Sequence, residues 1–349
     1  MNENPPGQGR VACSDSQGRA APRPESGGQT GTPGERSPVS AGCPRAEEAA
    51  GRAALQGACL KAGGRKCNLI PRQLHAGGVM ETLTDQPVLG VQNYLERAAQ
   101  NLRPITAIKF YVSSRTDTGV HALCNSAHLD VQRAVGKPPF PASVIVSALN
   151  YHLKPEPIRI LSAYRVSDNF HARFSALSRT YIYRLVTGCS HHSQIPVFER
   201  DLCWAPKGDH LNVPAMQEAA GSLLGTHDFS TFRSVSSEKP FKSPIKTLAQ
   251  ADIRPSSGFM SHHYEYRGLQ FWELEFKSRS FLYRQVRRMA GALVAVGQGR
   301  LAPYHIKELL EMRDPLAYPL NTMAPAAGLF LKSVEYDDAD VDTEGNAAE

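Results

Sequence analysis

Ser113-Ser114-Arg115-Thr116-Asp117-Thr118-Gly119 is a polar run set between two apolar stretches. Upstream, residues 106–112 read Thr-Ala-Ile-Lys-Phe-Tyr-Val, a β-branched and aromatic run that predicts a strand. Downstream, Ala127, Leu129 and Val131 alternate with Ser126, His128 and Asp130, the period of a strand with one covered face. The order is therefore strand, polar loop, strand. Within the loop, Asp117 stands two residues after Arg115 and two before Gly119. A carboxylate kept near a guanidinium favours its ionised form, which suits a nucleophile or electrostatic stabiliser better than a general acid. The plainer alternative is a strand-to-strand turn capped by Asp117. Asp117-Thr118-Gly119 also matches the triplet around which aspartic proteases pair two carboxylates on one proton. Only one such triplet occurs, so that reading needs a homodimer, and a nearby Arg opposes the shared proton.

Working outward, Val91, Leu95, Ala98 and Leu102 share one helix face, and Pro104 follows soon after. Further helices are predicted over residues 141–153, 213–224, 282–296 and 304–312. Strands are predicted over 158–166, 179–187, 247–253, 270–276 and 328–336. Helices and strands interleave in both halves, which predicts an α/β or α+β class with sheet cores and helices on one face.

The chain has 349 residues, 41% of them hydrophobic and 21% charged, so it is globular on average. The average conceals a split, because no aromatic residue precedes Tyr94 and half of the 28 glycines lie in residues 1–80. Such sequence buries too little apolar surface to offset chain entropy. The expected organisation is a low-complexity segment over 1–87, a lobe over 88–195 carrying the Asp117 loop, a second lobe over 196–336, and an acidic tail over 337–349. Seven cysteines without a Cys-x-x-Cys pair, and no secretory signal, predict a reduced intracellular setting, with mitochondrion and cytoplasm both open. The adjacent histidine pairs are poorly spaced for zinc, and no apolar run reaches the ~20 residues of a membrane span.

The net charge of +6 is uneven, since the tail from Glu335 onward has acids and no base. Between Glu275 and Glu308 lie Lys277, Arg279, Arg284, Arg287, Arg288, Arg300 and Lys307 with no acid, and Phe281 and Tyr283 are interleaved. A second acid-free run between Asp168 and Glu199 holds Arg173, Arg179, Arg184, Tyr181 and Tyr183. Cations suit a phosphate backbone and rings suit unstacked bases, so the two runs favour a nucleic acid over a small substrate. Tyr181 and Tyr183 share a strand face, and Tyr183 is the one expected in the core.

These residues also carry a family likeness. The stretch from Ser114 to Ala122 resembles the R-T-D-A-G-V-H signature loop of the TruA family of tRNA pseudouridine synthases. Phe170-His171-Ala172-Arg173-Phe174-Ser175-Ala176 with Arg179-Thr180-Tyr181-Ile182-Tyr183 resembles the family's second block, and Gly225-Thr226-His227-Asp228-Phe229-Ser230 its G-x-H-D-F-S segment. The run from Phe281 to Arg288 resembles its F-x-Y-x-x-V-R helix start, and Ala324-Pro325-Ala326-Ala327-Gly328-Leu329 its A-P-x-x-G-L close. The resemblance implies the α+β pseudouridine synthase fold, two mixed or antiparallel sheet lobes with helices on one face around a basic cleft, and isomerisation of uridine in tRNA. It implies Asp117 as catalytic nucleophile, Tyr181 stacked on the flipped base, Arg287 paired with the aspartate, and Arg115 holding the flipped nucleotide. No cofactor is implied, because the rearrangement is redox-neutral; the partner is tRNA, not a membrane, and monomer and homodimer are both open. Two departures stand out. Thr118 replaces the usual Ala, and nothing in residues 1–88 resembles the family's opening strand, Y-x-G-x-x-F-x-G-x-Q. Loss of that strand makes a non-catalytic RNA-binding protein the alternative.

Overall fold

In the computed structural model, which describes residues 50–58 (backbone only), 90–189, 191–208, 210–235, 243–256, 263–264 and 267–338, the Asp117 loop is where the chain crosses between two sheets. The described elements begin with β1 (Ala50–Ala58), α1 (Val91–Gln100), β2 (Tyr111–Val112), β3 (His121–Ala122), β4 (Ser126–Gln132), α2 (Ala142–His152) and β5 (Ile160–Arg165). There follow β6 (Ser178–Thr187), α3 (Val213–Gly221), β7 (Gly225–Asp228), β8 (Ile245–Pro255), β9 (Gln270–Ser278), α4 (Gln285–Gly297), α5 (His305–Met312) and β10 (Leu329–Glu335). The four-stranded sheet is ordered β2-β4-β1-β5 and the six-stranded sheet β3-β10-β6-β9-β8-β7. Among the described strands every pairing is antiparallel except β3 with β10. The expected α+β class is what the chain adopts.

The connectivity positions the site. The chain leaves the edge of the small sheet after β2, touches the edge of the large sheet at β3, and returns to the small sheet at β4. Ala127, Leu129 and Val131 of β4 pack with Leu95, Ala98 and Ala99 of α1 and Ile145 and Leu149 of α2. The helices therefore cover one face of the small sheet, and the alternation of β4 turns His128 and Asp130 to the other. In the large sheet, Tyr183, Leu185, Ala251, Ile253, Leu274 and Phe276 pack under Met216 of α3, Met289 and Leu293 of α4 and Leu309 of α5. Gly291 lets α4 come close: a Cβ there would lie 2.0 Å from the Thr322 carbonyl oxygen and 2.8 Å from the Ala324 nitrogen.

Three expectations need correction. No strand is expected before residue 88, yet Ala50–Ala58 runs antiparallel to both β4 and β5, with Ala53 opposite Leu129 and Arg165. Side-chain composition argued against it, but strands on either side offer backbone donors and acceptors that any proline-free segment can satisfy. The rest of the predicted 1–87 segment lies outside the described residues, as does the acidic tail beyond Asp338. Residues 106–112 supply only the two-residue β2, because the Phe110 N–H is taken by Glu96 Oε1 of α1 at 3.1 Å. Helix α4 starts at Gln285 rather than 282, after Arg284 adopts a left-handed φ of 59°. Among the described residues no helix is long and apolar enough to cross a membrane.

Candidate active site

Ser113 N–H donates to the Ser126 carbonyl at 2.7 Å, so the two stems of the loop start as a strand pair. Asn125 then latches them: its amide donates to the Ser114 carbonyl at 2.9 Å, and its Oδ1 accepts from Ser126 N–H at 2.9 Å and Ser114 N–H at 3.4 Å. At the tip, Val120 N–H reaches back to the Asp117 carbonyl at 3.1 Å, closing a turn whose third residue, Gly119, has a φ of 76°. That conformation favours Gly and explains its place beside Asp117. The turn reading is thus correct for the backbone, while the Asp117 carboxylate has a different partner.

That partner is Arg287. Its Nη1 lies 3.7 Å from Asp117 Oδ2, with the two side chains 11% and 26% exposed. The separation is an ionic contact rather than a hydrogen bond. Arg287 sits in the first turn of α4 and is aimed by a two-way backbone link: its Nε donates to the Ala324 carbonyl at 2.9 Å, and Ala324 N–H donates to the Arg287 carbonyl at 3.1 Å. Burial pulls the guanidinium's pKa down and the Asp117 charge opposes it. A cation facing this carboxylate disfavours the shared-proton dyad of an aspartic protease.

Tyr181 of β6 completes the group. Its ring meets Phe281 edge-on at 5.3 Å between centroids. Burial pushes its phenol up; the bond to Ser114 and the Arg179 charge pull it down, and the Asp117 charge adds to the rise. The hydroxyl therefore stays protonated at neutral pH, within the electrostatic reach of Asp117. Arg115, between buried Ser114 and Thr116, is exposed. The structure brings Asp117, Tyr181 and Arg287 together and leaves Arg115 facing solvent at the loop's rim. Tyr183 is fully buried, with its hydroxyl donating to the Pro325 carbonyl at 2.8 Å, as the core reading expects.

The basic runs divide on inspection. Arg179, expected among the phosphate-facing cations, is buried and makes five hydrogen bonds inside the protein. Its Nε donates to Ser114 Oγ at 3.1 Å and its Nη1 to the Arg279 carbonyl at 2.6 Å. Its Nη2 reaches Ser113 Oγ at 3.1 Å, the Ser113 carbonyl at 3.3 Å and the Arg173 carbonyl at 2.7 Å. Arg184 pairs with Glu199 at 2.8 Å, and Arg288 donates to the Arg233 and Pro315 carbonyls beneath the Tyr318 ring. Arg115, Arg279, Arg300 and Lys307 are exposed and keep the expected role open to them. Sequence reasoning missed Asn125 altogether, since a single Asn between strands has no signature. It misassigned Arg179, for which the acid-free run was the wrong signal.

Residues 219–337 match the model of a family described as tRNA pseudouridine synthase. A Xenopus laevis protein called tRNA pseudouridine synthase-like 1 is 64% identical over 260 residues, 74% of this chain and 87% of the relative. A Homo sapiens protein of the same name is 55% identical over 260 residues, 74% of this chain and 85% of the relative. A bacterial protein called tRNA pseudouridine synthase A, from Paramagnetospirillum magneticum, is 39% identical over 248 residues, 71% of this chain and 86% of the relative.

Proposed function

The chain belongs to the tRNA pseudouridine synthase family, and from that premise we propose that it isomerises uridine to pseudouridine in tRNA with Asp117 as the catalytic nucleophile. The observation that carries the reading is the Asp117 carboxylate held 3.7 Å from Arg287 beside the Tyr181 phenol. Asp117 attacks the flipped nucleotide, at base or ribose, while the N1–C1′ bond breaks. The uracil turns, C5 bonds to C1′, the bond to Asp117 breaks and returns the carboxylate, C5 loses its proton and N1 gains one. Tyr181 supplies the ring against which the base stacks, and Arg287 sets a positive charge 3.7 Å from the attacking carboxylate. Exposed Arg115 at the loop's rim holds the nucleotide in its extruded position. Extrusion costs a few kcal/mol, which stacking and phosphate contacts offset. The rearrangement exchanges one glycosidic bond for another without redox change, so it calls for no cofactor.

The test is tritium release from tRNA transcripts labelled at uridine C5, with Asp117→Ala alongside. Release by the parent and not by the variant supports the reading; retained release in the variant overturns it. Log affinity for tRNA should also fall with log salt, at a slope of about −0.7 to −0.9 per contacted phosphate. The alternative, an RNA-binding protein without turnover, is motivated by the missing family-type opening strand. Detectable isomerisation by this chain eliminates it, and stoichiometric tRNA binding with no tritium release supports it.

A further inference from the structure

The face of the small sheet left uncovered by α1 and α2 carries a continuous row of rings that the Asp117 chemistry does not use. Tyr111 stacks on His128 at 4.9 Å and 12°, His128 meets His171 at 4.7 Å, and His171 meets Phe174 at 4.4 Å. The outer members are open to solvent: Tyr111 is 48% and Phe174 70% exposed. Single exposed apolar residues are ordinary, but a connected row with a cation above its end is not. The guanidinium of Arg173 lies 5.9 Å from the Phe174 ring centre.

The row is also held rigidly. Phe174 N–H and Ser175 N–H both donate to the His171 carbonyl, at 3.0 and 2.9 Å, and His171 N–H donates to Ser175 Oγ at 3.1 Å. Ala172 N–H donates to His128 Nδ1 at 3.1 Å, and the Tyr336 hydroxyl donates to the Ala172 carbonyl at 2.5 Å. A loop fixed this way cannot tuck Phe174 into the core, so the ring is presented outward at no further ordering cost on binding. It adjoins the catalytic loop directly, because Arg179 Nη2 holds the carbonyls of both Ser113 and Arg173.

We propose that Phe174, with Tyr111 and Arg173, forms a second base-stacking subsite that receives an unpaired RNA base other than the target uridine. The charge favours that occupant: Arg115 and Arg279, both exposed, belong to the segments that Arg179 ties to the row, set against one exposed acid, Asp130, on the same face of β4. Aromatic stacking with a nearby Arg suits an unstacked base of any identity, so the subsite contributes affinity and register rather than sequence choice.

The inference rests on the tRNA reading, and its test separates the two. Binding of tRNA transcripts is measured at fixed salt for the wild type and for Phe174→Ala, Phe174→Leu and Phe174→Trp, with the association state followed by sedimentation. Stacking predicts affinity weaker by about 5- to 150-fold for Ala and Leu, affinity close to wild type for Trp, and an unchanged salt slope. Wild-type affinity in Phe174→Ala or Phe174→Leu overturns the subsite. So does a shift to smaller assemblies with RNA binding intact, which assigns the face to a second copy of the chain. A wild type that binds tRNA but forms no pseudouridine overturns the catalytic reading alone, and the binding comparison still decides the subsite. A wild type that binds no tRNA overturns both.

Discussion

Asp117 and Arg287 face each other at 3.7 Å although they enter from different lobes, one on the loop between the sheets and the other on the first turn of α4. The carboxylate is placed by a turn and the guanidinium by the Ala324 backbone, so neither depends on the other for its position. That independence makes the pair separable by mutation.

Arg287→Met removes the charge and the Nε bond together, and turnover should fall by on the order of 10²- to 10³-fold, the usual cost of deleting one preorganised electrostatic partner. Arg287→Lys keeps the charge but cannot donate from Nε to Ala324 along the same fork, so it should recover only part of the rate. Single-turnover kinetics on labelled tRNA distinguishes the two. Equal rates for Met and Lys would remove charge from the explanation.

Asp117→Asn should abolish tritium release while leaving tRNA affinity within a few-fold and the melting temperature nearly unchanged. The stability expectation follows from the geometry, because the contact at 3.7 Å is no hydrogen bond and Asn keeps the shape of the side chain. A large loss of melting temperature would instead make Asp117 a structural member of the loop.

The difference between these residues and their supports explains what the sequence makes legible. Asp117, Tyr181 and Arg287 each lie in a block with its own signature, and the structure assembles them. Strand and helix periods located most elements to within a few residues. Ala50–Ala58 was hidden because its place in the sheet comes from backbone pairing with β4 and β5, which leaves no mark on side-chain pattern. Arg179 was misread because local sequence reports a cation but not the five internal acceptors that consume it.

Arg179→Met tests that internal role. Its loss leaves the Ser113, Arg173 and Arg279 carbonyls short of a donor in a buried setting, at a cost of about 1–3 kcal/mol for such a group. Denaturant titration should show destabilisation of that order or more, and turnover should fall because Ser113 and Ser114 lead directly to Asp117. Arg179→Lys should not rescue stability, since an ammonium cannot span acceptors on three segments. A stable Arg179→Met chain with weaker tRNA binding would return Arg179 to the phosphate-facing set.

His121 gives the site a pH dependence through stability. It begins β3 immediately after the Asp117 turn, is buried, stacks on Phe330 at 4.7 Å, and has Nε2 3.0 Å from the Asp201 carbonyl. Burial holds its pKa below the ordinary value, with the carbonyl contacts opposing that shift. The folded state therefore prefers the neutral ring, and the unfolded chain takes up a proton first as pH falls. Stability is fully present above the unfolded value of about 6.5 and is lost below it, by at most ~1.4 kcal/mol per pH unit for a single proton. Glu335 does not confuse the window, because its carboxyl is held below its usual range by Lys277 and Ser178 and acts only at lower pH. Urea titrations of the wild type and His121→Gln between pH 7.5 and 5.5 should give lines that converge toward acid, the variant lacking the His121 share of the loss. Parallel lines would mean that some other group takes up the proton. Convergence, together with slower turnover of the wild type at the acid end, would tie the β3 edge to the geometry of the Asp117 loop.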